Sequence, residues 1–193
     1  MRTLTSHAAR GIAIALLAGS AISVTGSGTA QAASLGSKIA DMAVGQNGAG
    51  PCGKNGKGSY WGRGTKQTGS CAGNGKAAHA WCADFVGWVW WKNGVGGKMI
   101  KLNDLASSFK NYAPMHATPK VGDAILYNQQ TAKVSDDHVA IVVAVKGEQI
   151  TVYGGNQGGG NGSVSKRVWK SYKVGSWANP AQQISGYVTP KAG

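Results

Sequence analysis

Residues 81–92 read WCADFVGWVWWK, the bulkiest apolar run in the chain. The run contains no proline and predicts a buried helix, with Cys82 in the first turn of the run. In the wider pattern along the chain, the main helix is predicted over residues 76–92. Asn93-Gly94 then supplies the residues that commonly end a helix. A helix N-terminus favours a thiolate. Cys82 is therefore either an inert buried cysteine or a nucleophile, and its spacing alone does not separate the two.

The residue pattern changes at Pro119, after which short runs rich in β-branched residues predict strands. The clearest is HVAIVVAV at 138–145, and Lys146-Gly147-Glu148 turns it into the next strand. The predicted strands are 124–127, 138–145, 149–153, 164–169 and 184–188. Further helices are predicted at 34–44 and 102–112. Helices followed by antiparallel strands indicate an α+β fold, with N-terminal helices packed on an antiparallel sheet of about five or six strands.

The first 32 residues have the pattern of a secretory signal peptide. Arg2 and Arg10 form a positive region, Gly11–Val24 is apolar, and Ala30-Gln31-Ala32 is a small-x-small cleavage site. The alternative is an uncleaved interfacial anchor. No later stretch is apolar enough to span a bilayer. We therefore expect a secreted protein, extracellular or associated with the cell wall, that begins near Ala33 and forms a single domain over residues 33–193.

Three cysteines follow the predicted cleavage site, so one of them has no partner within the chain. Cys52 and Cys71 both lie among glycines in the irregular segment 45–75, where a covalent link would stabilise the chain most. Disulfides persist outside the cytosol. We expect Cys52 and Cys71 to be bonded and Cys82 to be a free thiol.

The excess of basic over acidic residues predicts an anionic partner. Lys and Arg number 20 against 7 Asp and Glu, a formal charge of +13. A basic cluster precedes Cys82 and suits an anionic wall polymer, although a merely solubilising face is the alternative. Its members are Lys54, Lys57, Arg63, Lys66 and Lys76. Nucleic acid is a poor partner for an exported chain without a recognised nucleic-acid module, and we expect a monomer.

A nucleophilic cysteine needs a base, and the base needs a group to orient it. His138 opens the central predicted strand, and Asn156 follows the end of the next one. A hairpin can bring these two points together, which gives a Cys82/His138/Asn156 constellation. A structural histidine is the alternative for His138. His79 is expected at the entrance of the main helix, and His116 in a loop.

The order of these motifs resembles the CHAP family of cysteine amidohydrolases and peptidases, which belongs with the NlpC/P60 and papain-like enzymes. The segments that carry the resemblance are WCADFVGWV at 81–89, VGD at 121–123, HVAIV at 138–142 and GGNQ at 154–157. It covers about residues 48–188. The resemblance implies a papain-like α+β fold and cleavage of an amide bond in peptidoglycan. By motif match, Cys82 is the nucleophile, His138 the general base and Asn156 the orienting residue.

The sequence departs from the family pattern in two places. Many members carry an acid two residues before the matched Asn, where this chain has Gly154, so the third role falls on Asn156 or partly on Gln157. Some members bind calcium through acids ahead of the cysteine. The only acid between residues 33 and 82 is Asp41, so no calcium loop, other metal or cofactor is expected. No separate wall-binding domain is evident.

Aromatic residues near the nucleophile are candidates for substrate binding, because aromatic rings stack on sugar faces. The candidates are Tyr60, Trp61 and Trp81, together with Gln157. Filling of the core is the alternative for the aromatic residues.

The predicted activity is that of a muramoyl-alanine amidase or of a stem or cross-bridge endopeptidase. Two other functions remain open. One is a silent cationic wall-binding or antibacterial protein, against which the intact Cys/His/Asn set speaks. The other is a cysteine hydrolase of a non-wall amide.

Overall fold

A computed structural model describes residues 33–56, 58–61, 69–129, 137–157 and 162–193. The predicted signal peptide, residues 1–32, lies outside these ranges, as do Lys57, Arg63 and Lys66 of the basic cluster. Across the described ranges, no helix is long and apolar enough to cross a membrane. Lys54 and Lys76, the remaining members of the basic cluster, are exposed.

The first helix, α1, spans Leu35–Gly45 and agrees with the sequence pattern. The Ser34 side chain accepts a hydrogen bond from the Ser37 N–H, as an N-cap residue does. The buried residues of α1, Ile39 and Ala43, belong to the same core cluster as the main helix and the sheet.

The main helix, α2, spans Cys82–Lys92, so the predicted start at Lys76 is wrong. Residues before it form a small hairpin instead, with β1 at Cys71–Gly73 and β2 at Lys76–Ala77. The turn between them is Asn74-Gly75, whose φ angles are 50° and 75°. Positive φ at both positions is what a two-residue hairpin turn requires, and Asn-Gly is its commonest sequence. The late start of α2 makes Cys82 its first residue.

The predicted helix over 102–112 is broken into short pieces. A 3₁₀ turn at Met99–Lys101 precedes the predicted range. Within that range, a second 3₁₀ turn spans Ala106–Ser108, and only the four residues Phe109–Tyr112 form an α-helix, α3. The Asn103 side-chain oxygen accepts a hydrogen bond from the Leu105 N–H. An asparagine that takes up a backbone N–H in this way competes with helix formation.

Six antiparallel strands form the main sheet, in the order β6-β5-β4-β3-β8-β7. The predicted α+β fold is confirmed, and all five predicted strands are present. Sequence reasoning missed β7, which has only three residues. The strands are β3 Ala124–Tyr127, β4 His138–Lys146, β5 Gln149–Gly154, β6 Ser165–Trp169, β7 Trp177–Asn179 and β8 Gln182–Val188.

Both faces of the central strands are buried. One face packs against α1 and α2, where Phe85 and Val86 join Val139 and Ile141 in one cluster. Side chains on the other face form a second cluster that includes Ile125 and Tyr187, with Trp169 and Tyr172 packed against it. Strands β3 and β4 therefore lie at the centre of the molecule and provide a rigid base for residues at their ends.

The expected disulfide is present. Cys52 and Cys71 are bonded, with their Cα atoms 4.8 Å apart and a sequence separation of 19. This link ties the irregular segment to β1. Cys82 is the free cysteine and is buried.

Candidate active site

Two elements meet at Cys82 and His138. Cys82 is the first residue of α2 and His138 the first residue of β4, and α2 packs on β4 through the core described above. Each residue is 5 % exposed. The thiol and the imidazole are hydrogen-bonded to each other. The pairing of a helix cysteine with a strand-start histidine, expected from the motifs, is present.

The surroundings of Cys82 act on its pKa in opposite directions. Burial raises the pKa of the Cys82 thiol, while the charge and hydrogen bond of His138 lower it. Hydrogen bonds from the backbone of Val139 and Ala83 lower it further, and the net result is a pKa below the ordinary value. The N-cap residue Trp81 makes no side-chain cap hydrogen bond, so backbone N–H groups of the first turn face the sulfur without competition from a capping side chain.

The side chain of Gln157 contacts the imidazole, and the Tyr127 ring stacks on it with centroids 5.7 Å apart. Gln157 Oε1 lies 3.0 Å from His138 Nε2, and Gln157 Nε2 donates to the Ser165 carbonyl oxygen. Because the amide nitrogen is engaged with Ser165, the amide oxygen faces the ring and accepts the proton of His138 Nε2. In this tautomer Nδ1 is the basic nitrogen and can face the thiol.

Asn156, the residue predicted to orient His138, lines the same pocket as Cys82 and His138. Its φ is 57°, in the left-handed region, at the turn that follows β5. This backbone sets the Asn156 side chain against Gly162: a Cβ on Gly162 would lie 2.5 Å from Asn156 Oδ1. Among the described contacts, His138 donates a hydrogen bond to the side-chain oxygen of Gln157, the residue after Asn156.

Two adjacent glycines leave room for this arrangement. A Cβ on Gly154 would lie 2.8 Å from Gln157 Oε1, so a side chain there would displace the amide from its position beside His138. A Cβ on Gly155 would lie 2.5 Å from the Trp81 ring and 2.7 Å from Phe85 Cβ. The bare backbone at Gly155 therefore lets the end of β5 approach the start of α2, which brings Gln157 to the same place as Cys82.

The segment that holds these residues matches a known family. Residues 73–156 match the family model of the CHAP domain. This segment is therefore similar to a CHAP domain. The match begins in β1 and includes Cys82, His138 and Asn156 but not Gln157, which lies one residue beyond it.

Two solved structures are similar to the chain at low sequence identity. "The crystal structure of Ly7917" is 15 % identical with a TM-score of 0.48, over 82 % of this chain and 63 % of that one. An N-acetylmuramoyl-L-alanine amidase from Staphylococcus aureus is 19 % identical with a TM-score of 0.39, over 63 % of this chain and 35 % of that one. The chain thus spans less than two thirds of each. No curated protein matches the sequence.

Beside Cys82 the chain has an open pocket of about 400 Å³. Its described lining is mostly polar and is drawn from α2, the ends of β4 and β5, and the strands β6 to β8. The side chains are Cys82, Asp137, His138, Asn156, Gln157, Arg167, Asn179 and Gln182, with Ala80 and Ala181. Sequence reasoning missed Arg167, Asn179 and Gln182, because nothing in a short polar strand indicates which pocket it borders.

Two of the aromatic candidates for substrate binding are buried. Trp81 is 0 % exposed and Tyr60 is 2 % exposed, and their rings stack on each other with centroids 5.6 Å apart. Neither can offer a face to a sugar, so filling of the core is the correct interpretation for both. Trp61 is 41 % exposed and packs on Trp91, yet it is not part of the described pocket lining. Gln157 does line the pocket and also holds His138.

The other two described histidines, His79 and His116, contact the buried carboxylates of Asp84 and Asp123. His79 Nε2 is 2.6 Å from Asp84 Oδ2, in the first turn of α2. His116 Nε2 is 2.8 Å from Thr189 Oγ1 and 3.5 Å from Asp123 Oδ2. Burial raises the pKa of both carboxyls, although His79 lowers that of Asp84 in part. His79 is placed at the entrance of α2, as expected, and neither histidine lines the pocket beside Cys82.

Proposed function

We propose that this protein is a secreted cysteine hydrolase that cleaves an amide bond of peptidoglycan through an acyl-enzyme on Cys82. The CHAP domain supports a function of the peptidoglycan-hydrolase type. The observation that carries the cysteine mechanism is the hydrogen-bonded Cys82–His138 pair, with the thiol pKa lowered, on the wall of an open pocket. A structural cysteine has no need of a base or of access to solvent.

In the first half of the reaction, the Cys82 thiolate attacks the carbonyl carbon of the substrate amide and a C–S bond forms. The proton removed from the thiol resides on His138. The tetrahedral intermediate collapses as this proton passes to the amide nitrogen, the C–N bond breaks and the amine departs. The acyl group remains on Cys82 as a thioester.

In the second half, His138 takes a proton from water, whose oxygen attacks the thioester carbonyl. The C–S bond breaks, the new carboxylic acid leaves, and the thiolate is regenerated. We expect backbone N–H groups at the start of α2 to donate to the developing oxyanion. Trp81 offers no side-chain cap that would occupy them.

The location follows from two features. Residues 1–32 have the pattern of a signal peptide, and a disulfide links Cys52 and Cys71. Such links form and persist outside the reducing cytosol. We therefore infer that the protein acts outside the cell or in the cell wall.

Digestion of purified peptidoglycan, with mass analysis of the fragments, tests the proposal. The expected result is soluble fragments in which each cleaved amide has left a new carboxyl on one product and a new amine on the other. A free N-terminus on intact stem peptides identifies an amidase, and shortened stems or opened cross-bridges identify an endopeptidase. An intact wall after incubation with protein whose Cys82 thiol is reactive would contradict the proposed substrate.

A first prediction concerns the orienting amide. Gln157→Ala removes the acceptor that holds the charged imidazole, so we expect kcat/KM to fall about 10- to 100-fold, the range for a hydrogen bond to a charged group. Gln157→Glu keeps an acceptor and adds a negative charge beside the ring, which favours the imidazolium. The alkaline limb of its pH–rate profile should therefore move to higher pH.

The matched comparison is Asn156→Gly, because glycine accepts the left-handed backbone at this position without strain. Its effect should be clearly smaller than that of Gln157→Ala. If Asn156→Gly were the more damaging of the two, the orienting role would belong to Asn156. Thermal melting of each variant separates a loss of turnover from a loss of folding.

A further inference from the structure

The charges in the pocket are few and they are separated on different elements. Among the described lining residues, Arg167 on β6 and Asp137 before β4 carry the formal charges, in addition to His138. Asn179 and Gln182 offer neutral amides on the far side. A polyanion would meet the Asp137 carboxylate here, whereas a ligand with one negative group can approach Arg167 alone.

Arg167 is held at the edge of this pocket by the catalytic segment. It pairs with Val152 across the β5–β6 ladder, and its Nη2 donates to the backbone oxygen of Gln157 at 2.6 Å. Gln157 in turn contacts His138. The guanidinium is therefore separated from the imidazole by a single residue.

Most of the donors on Arg167 remain for a ligand. A guanidinium carries five N–H donors in a planar fork, and the bond to Gln157 uses one. Within the described part of the chain, no carboxylate lies within ion-pair distance of Arg167, and its side chain is exposed. An arginine fixed at one nitrogen and without an acidic partner is suited to bidentate binding of a carboxylate.

We propose that Arg167 is a specificity-determining residue that binds a free carboxylate of the substrate, close to the amide bond that Cys82 attacks. This inference rests on the proposed function and refines its substrate class. The substrate is a peptide with one carboxylate near the scissile bond, and the same peptide with that carboxylate amidated is a poor substrate. A wall polyphosphate is not what the pocket binds.

The test uses two preparations of one muropeptide, one with free carboxylates and one with those groups converted to primary amides. Wild-type protein should cleave the free form with a kcat/KM about 10-fold or more above that of the amidated form, since a charge-assisted pair is lost. Arg167→Gln should abolish this preference by slowing cleavage of the free form alone. Added salt should reduce the wild-type preference.

Lys166→Gln is the matched control, with the same change of charge one position away on β6, outside the described pocket lining. It should leave the preference intact. Arg167 also supports Gln157, and a purely structural role would slow both forms equally. An equal loss in Arg167→Gln, or equal rates of wild type on the two forms, would overturn the proposal.

Binding separates this proposal from the proposed function. Calorimetry with Cys82→Ala protein, which cannot turn over, should show tighter binding of the free form, and Arg167→Gln in that background should remove the difference. Discrimination in binding without cleavage by wild type would leave Arg167 as the carboxylate site and refute the hydrolase activity. Cleavage without discrimination would refute the role of Arg167 and leave the hydrolase activity in place.

Discussion

Cys82→Ala is expected to lower the rate of peptidoglycan cleavage by roughly 10⁴-fold or more, because none of the other described lining side chains carries a thiol or hydroxyl that could form the acyl-enzyme. Cys82→Ser should be similarly inactive, since a hydroxyl keeps its proton in surroundings that ionise a thiol. Both changes are nearly isosteric at a small side chain, so thermal melting should remain close to wild type. The measurement is fragment release from purified wall, followed by mass analysis.

The control for this prediction is the double variant Cys52→Ala/Cys71→Ala. It removes the disulfide and leaves Cys82 in place. We expect a lower melting temperature, because the unfolded chain is no longer constrained, together with retained turnover at a temperature where the variant is folded. Full activity in Cys82→Ala would show that the thiol is not the nucleophile.

His138→Ala should have the second-largest effect, with a fall in kcat of roughly 10³-fold, since both the base and the proton donor are lost. It should also change the thiol itself. His138 lowers the pKa of Cys82, whereas burial raises it, so removal of the imidazole leaves burial to dominate. The pH midpoint of Cys82 alkylation should lie below that of an ordinary thiol in wild type and above it in His138→Ala.

The remaining histidines serve as controls for this assignment. His79→Gln and His116→Gln alter residues that contact the buried carboxylates of Asp84 and Asp123, away from the thiol. We expect reduced stability, a wild-type midpoint for Cys82 alkylation and largely preserved turnover. An inactive His79→Gln beside an active His138→Ala would assign the base to His79.

Local sequence pattern was sufficient where one element decides its own structure. The β-branched run at 138–145 predicts a strand, whose first five residues are buried as in a central strand, and Ser34 caps α1 without help from elsewhere. Cys82 stands at the start of a helix because its neighbours are bulky and apolar. Asn74-Gly75 is a typical hairpin-turn sequence and predicts the β1–β2 hairpin. Because this hairpin includes Lys76, α2 cannot begin there.

Contacts between distant elements could not be obtained in the same way. Asn156 and Gln157 are adjacent amides, and sequence alone does not show that the Gln157 amide contacts His138. Trp81 and Tyr60 are residue types that occur both in hydrophobic cores and in binding clefts. Only their packing in the tertiary structure shows that they belong to the core. Residue type and spacing thus predicted that Cys82 and His138 lie together. Strand register and close glycine contacts decided the partners of this pair, because they depend on how separate elements meet in space.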